Sequence, residues 1–181
     1  MDHKTSEKIV FGGGCFWCTE AIFESLRGVV SVMPGYAGGP SASSGQAPTY
    51  WSIHDGKNGH AEVIEVTYDP TVVQFNDLLT VFLAMHDPTT LNRQGADVGS
   101  EYRSLVLYTT DAQKTATEKF IAGLNTSGPK VVTEVKPLDT FYVAEKSHRQ
   151  FYKNNTDSPY CQVVINPKME KLKSRFNELI K

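Results

Sequence analysis

The feature that most constrains this chain is a short apolar run that stops at three glycines and continues as a helical pattern opening at a cysteine. Residues 9–11 are apolar, residues 12–14 are glycines, and Cys15, Cys18 and Ile22 recur at helical offsets on one face. The pattern predicts a strand, a turn and a helix. Cys15 is therefore expected at a helix N-terminus, where free backbone N–H groups and the helix dipole favour an anion.

A thiol in that position is predicted to have a pKa below its usual value of roughly 8.5, and the thiolate is the reactive form. The glycines allow backbone amides to approach an anion formed beside Cys15. Phe16 and Trp17 follow directly. Two adjacent large aromatics cannot both enter the core from the first helical turn, so at least one is expected to line a surface pocket. The alternatives are an inert buried cysteine, or half of a zinc site built on Cys15 and Cys18.

Length and composition predict one domain over residues 1–181, with a flexible N-terminus (1–7), a core (8–145) and a C-terminal extension (146–181). The formal net charge of −2 gives no reason to expect nucleic acid or an anionic membrane as a partner. No segment is long and apolar enough to span a bilayer. Three cysteines without a recognisable secretion signal favour reduced cytoplasmic thiols over a disulfide scaffold.

Hydrophobic periodicity predicts an alternation of strands and helices. The predicted strands are 8–11, 29–33, 61–68, 102–109 and 131–138, and the predicted helices are 15–27, 73–86, 111–124 and 145–154. Polar, glycine-containing loops are predicted at 36–48 and 89–100. The order indicates an α+β fold, namely a ferredoxin-like split βαβ two-layer sandwich with long loops and an irregular C-terminal extension.

Several polar side chains are candidates for chemistry. Glu62 opens a predicted strand, and if it faces the first helix it is a carboxyl in a partly dry place that can act as a general acid. Tyr36, Tyr50 and Tyr102 lie in or beside the long loops, where a phenol can hydrogen-bond to a substrate oxygen. Asp97 lies in the second loop. The plainer alternatives are a solvated strand-end glutamate, half-buried tyrosines and a turn-forming aspartate.

The remaining thiol and the histidines are less specific. Cys161 ends a turn-rich stretch, a setting that suits either a mobile thiol that must reach another sulfur or a free cysteine in the tail. His60, His86 and His148 match no zinc spacing, so structural or hydrogen-bonding roles are predicted for them and no bound metal is expected.

Taken together, the motifs of this chain resemble those of A-type peptide methionine sulfoxide reductases. They are GCFWC with Glu20 at 14–20, GYAGG at 35–39, PTY at 48–50, GHAE at 59–62, HDPTT at 86–90, NRQG at 92–95 with Asp97 and Gly99, YRS at 102–104 and FY-x-AE at 141–145. The resemblance extends over about residues 8–161 in unbroken order. Its motifs are specific in combination.

The resemblance implies a division of roles within the site. Cys15 would attack the sulfur of a methionine S-sulfoxide, while Glu62, with Tyr50 and Tyr102, would protonate and hold the sulfoxide oxygen. A second group of residues would bind the substrate, with the aromatics receiving its methyl group: Phe16, Trp17, Asp97, Tyr36 and Gly14.

The resemblance also implies how the enzyme recycles. Cys15 would become a sulfenic acid, and a second thiol would condense with it to a disulfide that thioredoxin, or dithiothreitol in vitro, reduces. Cys161 resembles the resolving cysteine by position, and Cys18 is the competing candidate. No bound cofactor is expected. The implied role is repair of oxidised proteins under oxidative stress, or reduction of free methionine sulfoxide, by a cytoplasmic monomer.

Three positions depart from the usual family pattern. Glu101 replaces a glutamine and adds a carboxylate near the site, Ser147 replaces a tyrosine, and Ser158 with Pro159 replaces a glycine step before Tyr160. Two competing interpretations use the same cysteines differently. One is a thiol–disulfide oxidoreductase working through Cys15 and Cys18, and the other is a non-catalytic metal-binding or protein-binding module.

Overall fold

The computed structural model describes residues 6–40, 47–55 and 57–181. Its strands are β1 (Glu7–Gly12), β2 (Val29–Ala37), β3 (Ala61–Tyr68), β4 (Arg93–Gln94), β5 (Asp97–Val98), β6 (Leu105–Tyr108), β7 (Glu134–Pro137) and β8 (Tyr142–Val143). Its α-helices are α1 (Phe16–Glu24), α2 (Tyr50–Ile53), α3 (Phe75–Met85), α4 (Asp111–Leu124), α5 (Phe151–Asn154) and α6 (Asn166–Phe176). Within these ranges, no helix combines the length and hydrophobicity needed to cross a membrane.

A six-stranded mixed sheet forms the centre of the protein, in the order β7-β6-β1-β3-β2-β8. β1 is antiparallel to both β3 and β6, β2 is antiparallel to β3 and β8, and β6 is parallel to β7. The inner order β6-β1-β3-β2 places β3 between the two strands that α1 connects, which is the split βαβ arrangement. The predicted fold class is confirmed.

Alternation along the strands divides the core between the two faces of the sheet. Ile9 and Phe11 of β1 belong to the main apolar cluster, to which α1 and α3 also contribute. Val10, between them, belongs to a smaller cluster on the opposite face with Val63 and Leu105. The helical layer therefore packs on one face, and the end of β1 leads directly into α1 on that face.

The strand register places Glu62 beside the start of α1. Phe11 of β1 lies opposite Ile64 of β3 in an antiparallel pair. Continuing that register by two residues puts Glu62 opposite Gly13, within the glycine turn that precedes Cys15. The position of this carboxyl thus follows from the pairing of the two central strands.

Strand β2 is longer than predicted. The sequence indicates an end at residue 33, before Pro34 and Gly35, but the strand continues to Ala37. Its extension pairs with β8, and the Pro34 carbonyl accepts the Ala144 N–H at 2.9 Å. A side chain at Gly35 would overlap the Tyr142 carbonyl, so a glycine is required there. Tertiary pairing outweighs the breaker signal, and the predicted loop 36–48 starts later; its residues 41–46 lie outside the described part of the chain.

Other boundaries also differ from the prediction. Strands predicted at 102–109 and 131–138 shorten to β6 and β7, because Ser100–Tyr102 forms a 3-10 turn and pairing begins at Glu134. Helix α1 ends at Glu24, three residues before the predicted end at 27. Helix α4 spans the predicted residues, and the Thr110 side chain caps it by accepting the Gln113 N–H.

The C-terminal extension is more regular than predicted. The helix predicted at 145–154 is divided into a 3-10 turn, Lys146–His148, and α5, because Gln150 between them has a left-handed φ of 52°. A π turn, Cys161–Ile165, then leads into α6, which buries Leu172 and Phe176. The expectation of an irregular extension was wrong for α6, whose lysine-rich sequence still places apolar residues at helical spacing.

The stacked rings of Phe11 on β1 and Phe82 on α3 provide a test of the core packing. Phe11 is fully buried, and its ring stacks on that of Phe82 with centroids 4.5 Å apart. We expect Phe11→Ala to lower the free energy of unfolding by about 3–5 kcal/mol, through lost burial and a cavity. Denaturant unfolding measures it. Val30→Ala, at an exposed valine, is the control and should change stability by less than about 0.5 kcal/mol; equal effects would contradict the described core.

Candidate active site

Cys15 is the N-cap residue of α1, as the sequence predicts. Its φ and ψ are −55° and 124°, and its carbonyl accepts the N–H groups of Cys18 and Thr19 at 3.1 and 3.4 Å. Gly14 before it has a φ of 90°, a conformation that side chains disfavour, and a Cβ there would lie 2.6 Å from Cγ of Gln94. The glycine turn thus bends the chain sharply and leaves Cys15 at the first helical turn.

All three cysteines are free and lie in one buried cluster. Cys15 and Cys18 come from the first turn of α1, and Cys161 comes from the π turn of the C-terminal extension. The Tyr160 hydroxyl lies 3.7 Å from the Cys18 sulfur. The extension therefore brings a third thiol to the helix start from a distance of more than a hundred residues along the chain.

The predicted low pKa is found on Cys18, and for Cys15 the prediction was wrong. A hydrogen bond to Cys18, burial and the nearby Glu62 carboxyl raise the pKa of the Cys15 thiol. The same hydrogen bond lowers the pKa of Cys18 to about 6, against the effect of burial and with help from Lys168. The hydrogen bond between the two thiols thus favours the thiolate on Cys18 and the protonated thiol on Cys15.

Glu62 lies inside the protein, with 2% of its surface exposed. Its Oε2 accepts the backbone N–H of Phe16 at 2.9 Å, and its Oε1 lies 3.4 Å from Nε2 of His54. Burial raises the pKa of this carboxyl, while the bonds from His54 and Phe16 partly oppose the rise. The alternative of a solvated strand-end glutamate is excluded by this burial. The carboxyl instead faces α1, in the dry environment that favours a retained proton.

Two tyrosines stand beside this acid. The Tyr102 hydroxyl lies 3.0 Å from Nε2 of His54. Burial, followed by the Glu62 charge, raises the pKa of Tyr50 to about 12 and also raises the pKa of Tyr102. Asp97 on β5 contributes to both shifts and to that of Glu62, and its own pKa is raised by burial. Both phenols keep their protons near neutral pH and can donate to an oxygen.

An aromatic layer at the start of α1 consists of Phe16, Tyr36 and Tyr50. Phe16 is 1% exposed, and its ring centroid lies 5.8 Å from that of Tyr36 and 6.5 Å from that of Tyr50. Tyr36 is fully buried, and its hydroxyl donates to Glu145, whose other oxygen accepts the Tyr50 N–H at 2.9 Å. The Tyr36 ring thus packs against Phe16 inside the protein, and its hydroxyl is already hydrogen-bonded to Glu145.

Trp17 is half-buried and meets the C-terminal extension. Its ring stacks on Phe151 at a centroid distance of 3.7 Å, and its Nε1–H donates to Nδ1 of His148 at 3.3 Å. The Tyr160 ring meets it edge-on at 5.4 Å. Of the two adjacent aromatics, Trp17 is therefore the one that stays near the surface, and the extension covers part of it.

The other histidines have the hydrogen-bonding roles that the sequence suggested. His86 bonds Ser104 through Nε2, and burial lowers its pKa to about 4. His60 accepts the Gly39 N–H, and His148 accepts from Trp17. No group of three or more His, Cys, Asp or Glu side chains is placed to hold a metal ion in the part of the chain that the structure describes.

Sequence reasoning missed three members of the site. They are His54, which contacts Glu62 and Tyr102; Glu145, which bonds Tyr36 and Tyr50; and Tyr160, which contacts Cys18. Two of them had a usable signal: Glu145 ends the FY-x-AE motif, and His54 follows Tyr50 by four residues and would share its face on a helix. The extra carboxylate of Glu101 does lie near the site, where it helps to raise the pKa values of His54 and Tyr50.

Fold and site together define a class of protein. Paired thiols at a helix start, a buried carboxyl with a raised pKa bonded to the next amide, and neutral phenols around it are the groups of an oxidoreductase with cysteines in its site. Residues 7–180 match the sequence model of the family described as peptide methionine sulfoxide reductase. The peptide methionine sulfoxide reductase MsrA of Sulfolobus acidocaldarius is 48% identical over 171 residues, which cover 94% of this chain and 95% of the relative. This chain belongs to the peptide methionine sulfoxide reductase family.

Solved structures agree with this assignment. The reduced form of Mxr1 from Saccharomyces cerevisiae superposes with a TM-score of 0.79 at 31% identity, over 88% of this chain and 91% of that one. Methionine sulfoxide reductase A of Corynebacterium diphtheriae superposes with a TM-score of 0.74 at 34% identity, over 83% and 76% of the two chains.

The cysteine pair provides a test of the electrostatics. Because the Cys18 pKa is about 6, one thiolate should form in the reduced protein as the pH rises through about 6, and it should persist above that pH. Thiolate absorbance at 240 nm measures the titration. We expect Cys18→Ala to remove this transition and Cys161→Ala to retain it. A first thiolate that forms only above pH 8 in the parent would contradict the described pair.

Proposed function

We propose that the chain reduces methionine S-sulfoxide to methionine, through attack of Cys15 on the sulfoxide sulfur. The observation that carries the proposal is the buried Glu62 carboxyl, hydrogen-bonded to the amide of the residue next to Cys15. A sulfoxide is a poor electrophile until its oxygen is protonated, and a carboxyl with a raised pKa supplies that proton. The acid and the nucleophile meet at one helix terminus.

Both cysteines at the start of α1 take part in the first step, Cys15 as the nucleophile and Cys18 as the acceptor of its proton. The Cys15 sulfur bonds to the sulfoxide sulfur, its proton moves to the Cys18 thiolate, and the Glu62 proton goes to the oxygen. The oxygen is then transferred to Cys15, so that methionine leaves and Cys15 becomes a sulfenic acid. Methionine gains the two electrons that Cys15 loses. The hydrogen bond between Cys15 and Cys18 supports this proton transfer.

The surrounding residues would orient the substrate. The Tyr50 and Tyr102 hydroxyls would donate to the sulfoxide oxygen, because their raised pKa values keep them protonated. Phe16 and Trp17 would receive the methyl group, and Asp97 would bind the polar part of the substrate. Gly14 would let backbone amides approach the anion that forms beside Cys15, and Tyr36 would support Phe16.

A second thiol would then attack the sulfenic acid, forming a disulfide and releasing the oxygen as water. Cys161 remains our first candidate, and its place in the same buried cluster as Cys15 supports it. Cys18 is the competing candidate. It is one helical turn from Cys15 and already hydrogen-bonded to it, and its low pKa favours the reactive form.

Thioredoxin would reduce the disulfide, with dithiothreitol as its substitute in vitro. Mxr1, which is 31% identical to this chain in its reduced form, has also been solved in complex with Trx2. The proposed role is repair of oxidised proteins under oxidative stress, with free methionine sulfoxide as a further substrate. We propose that residues 1–181 act as one catalytic domain, in a cytoplasmic monomer without a bound cofactor.

A specific observation also favours a second candidate function. A Cys-x-x-Cys pair at a helix start, with one pKa near 6, suits thiol–disulfide exchange on other proteins. That activity would depend on Cys15 and Cys18 and would not need Glu62. The two functions therefore differ in their demand for an acid.

The test of the proposed function is reduction of the two separated epimers of a blocked methionine sulfoxide, with dithiothreitol as reductant. We expect the S epimer to be converted to the sulfide while the R epimer persists, as followed by chromatography. Cys15→Ser should abolish turnover, and Glu62→Gln should lower kcat/KM about a hundredfold or more. Consumption of the R epimer alone, or of neither, would refute the proposal, and unchanged turnover in Glu62→Gln would contradict the role assigned to the acid.

The resolving thiol is identified by trapping the disulfide. The reduced protein is treated with one equivalent of methionine S-sulfoxide without reductant, alkylated and mapped by peptide mass spectrometry. We expect a Cys15–Cys161 disulfide, and in a separate assay with thioredoxin as reductant Cys161→Ser should lose turnover after the first methionine. A Cys15–Cys18 disulfide in the parent, with full turnover retained by Cys161→Ser, would assign the role to Cys18 instead.

A further inference from the structure

His54 connects the buried acid to the outside of the protein. Its side chain is 22% exposed, whereas that of Glu62 is 2% exposed. Its Nε2 lies 3.4 Å from Oε1 of Glu62 and 3.0 Å from the Tyr102 hydroxyl. The residue directly follows α2, so the same short helix carries Tyr50 and His54 to the site. The imidazole is thus partly exposed to solvent and contacts the carboxyl through Nε2.

The hydrogen bond at its other nitrogen determines where the exchangeable proton lies. Nδ1 of His54 is 2.6 Å from the Tyr50 carbonyl oxygen. A carbonyl only accepts, so Nδ1 carries a hydrogen whether the ring is neutral or charged. The proton that the ring gains or loses is therefore the one on Nε2, which faces Glu62.

The two oxygens of Glu62 have different neighbours. Oε2 accepts the Phe16 N–H at 2.9 Å, on the side where Cys15 begins the helix, and Oε1 faces His54. A carboxyl can take up a proton on one oxygen while it gives up another from the second. Glu62 is thus placed to receive a proton at Oε1 as it donates a proton from Oε2.

We propose that His54 is a positioning residue that acts through Glu62, by delivering a proton to Oε1 as Oε2 protonates the substrate oxygen. The inference rests on the proposed function and deepens it. In the transfer, the Nε2–H bond of His54 breaks and an O–H bond forms at Oε1, while the Oε2–H bond breaks and an O–H bond forms on the sulfoxide oxygen. A proton from solvent then restores the Nε2–H bond.

The groups around His54 favour the protonated form of its ring. The groups that face it are the Tyr50 carbonyl and ring on α2, Glu62 on β3, Asp97 on β5, Glu101 and Tyr102 on the 3-10 turn, and His148 of the C-terminal extension. The hydrogen bond to Glu62 raises the pKa of His54, and Glu101 adds to this, while burial opposes it. Asp97 and Glu101, set against the one further imidazole of His148, also favour a proton on the ring.

The proposal is tested by single-turnover methionine formation with saturating methionine S-sulfoxide and no added reductant. His54→Gln keeps a side chain that can hydrogen-bond to Glu62 and Tyr102 but cannot deliver a proton. We expect its rate to fall about tenfold to a hundredfold, with substrate affinity changed less than about twofold. His54→Ala should fall similarly, and added imidazole should restore it. The restoration should weaken as the pH rises through the ordinary imidazole range, because imidazolium is the donor.

Ser52→Ala is the matched control, since it weakens the cap of the same helix without touching Glu62. Its rate should not respond to imidazole. A parental rate in His54→Gln would overturn the proposal, and so would a loss in His54→Ala that imidazole leaves unchanged at every pH. Reduction of the S epimer by the parent protein tests the proposed function separately, so a failure of His54 and a failure of the function are distinguishable.

Discussion

The hydrogen bond from the Phe16 amide to Glu62 joins the two halves of this structure. The first N–H groups of a helix have no partner within the helix, and here one of them donates to a carboxyl on the central strand β3. The bond compensates part of the cost of burying Glu62 and fixes the end of α1 against the sheet. It also sets the acid one peptide away from Cys15. The glycine turn, the register of β1 with β3 and the aromatic layer above all meet at this contact.

The same helix is held from its other side by the C-terminal extension. Glu20 accepts the N–H groups of Gln150 and Phe151 at 2.8 and 3.4 Å, and burial raises its pKa to about 7. The adjoining residues stack on Trp17 and bring Cys161 into the thiol cluster. A carboxyl thus anchors α1 at each of two neighbouring turns. The proposed disulfide at Cys15 would therefore form on a helix that both the sheet and the C-terminal extension hold in place.

Local patterns were enough for the architecture and for the centre of the site. The alternation at 61–68 gave β3 with its observed bounds, and the strand–glycine–helix pattern placed Cys15 at the N-cap. The residues whose position depended on a distant partner were less predictable. Pro34 and Gly35 carry a breaker signal that pairing with β8 outweighs. His54 carries no signal of its own beyond its spacing from Tyr50, because its contact with Glu62 depends on how α2 packs.

By itself, the sequence determined the split βαβ order and a thiol at a helix start, because strand and helix periodicities and glycine turns act over a few residues. The family resemblance added the expectation that Glu62, Tyr50 and Tyr102 lie near that thiol. Only the tertiary structure decided that Cys18 carries the lower pKa, that Glu62 is buried, and that the partly exposed His54 contacts it. These properties depend on desolvation and on hydrogen bonds between segments far apart in the chain. Neither exists until those segments are packed together.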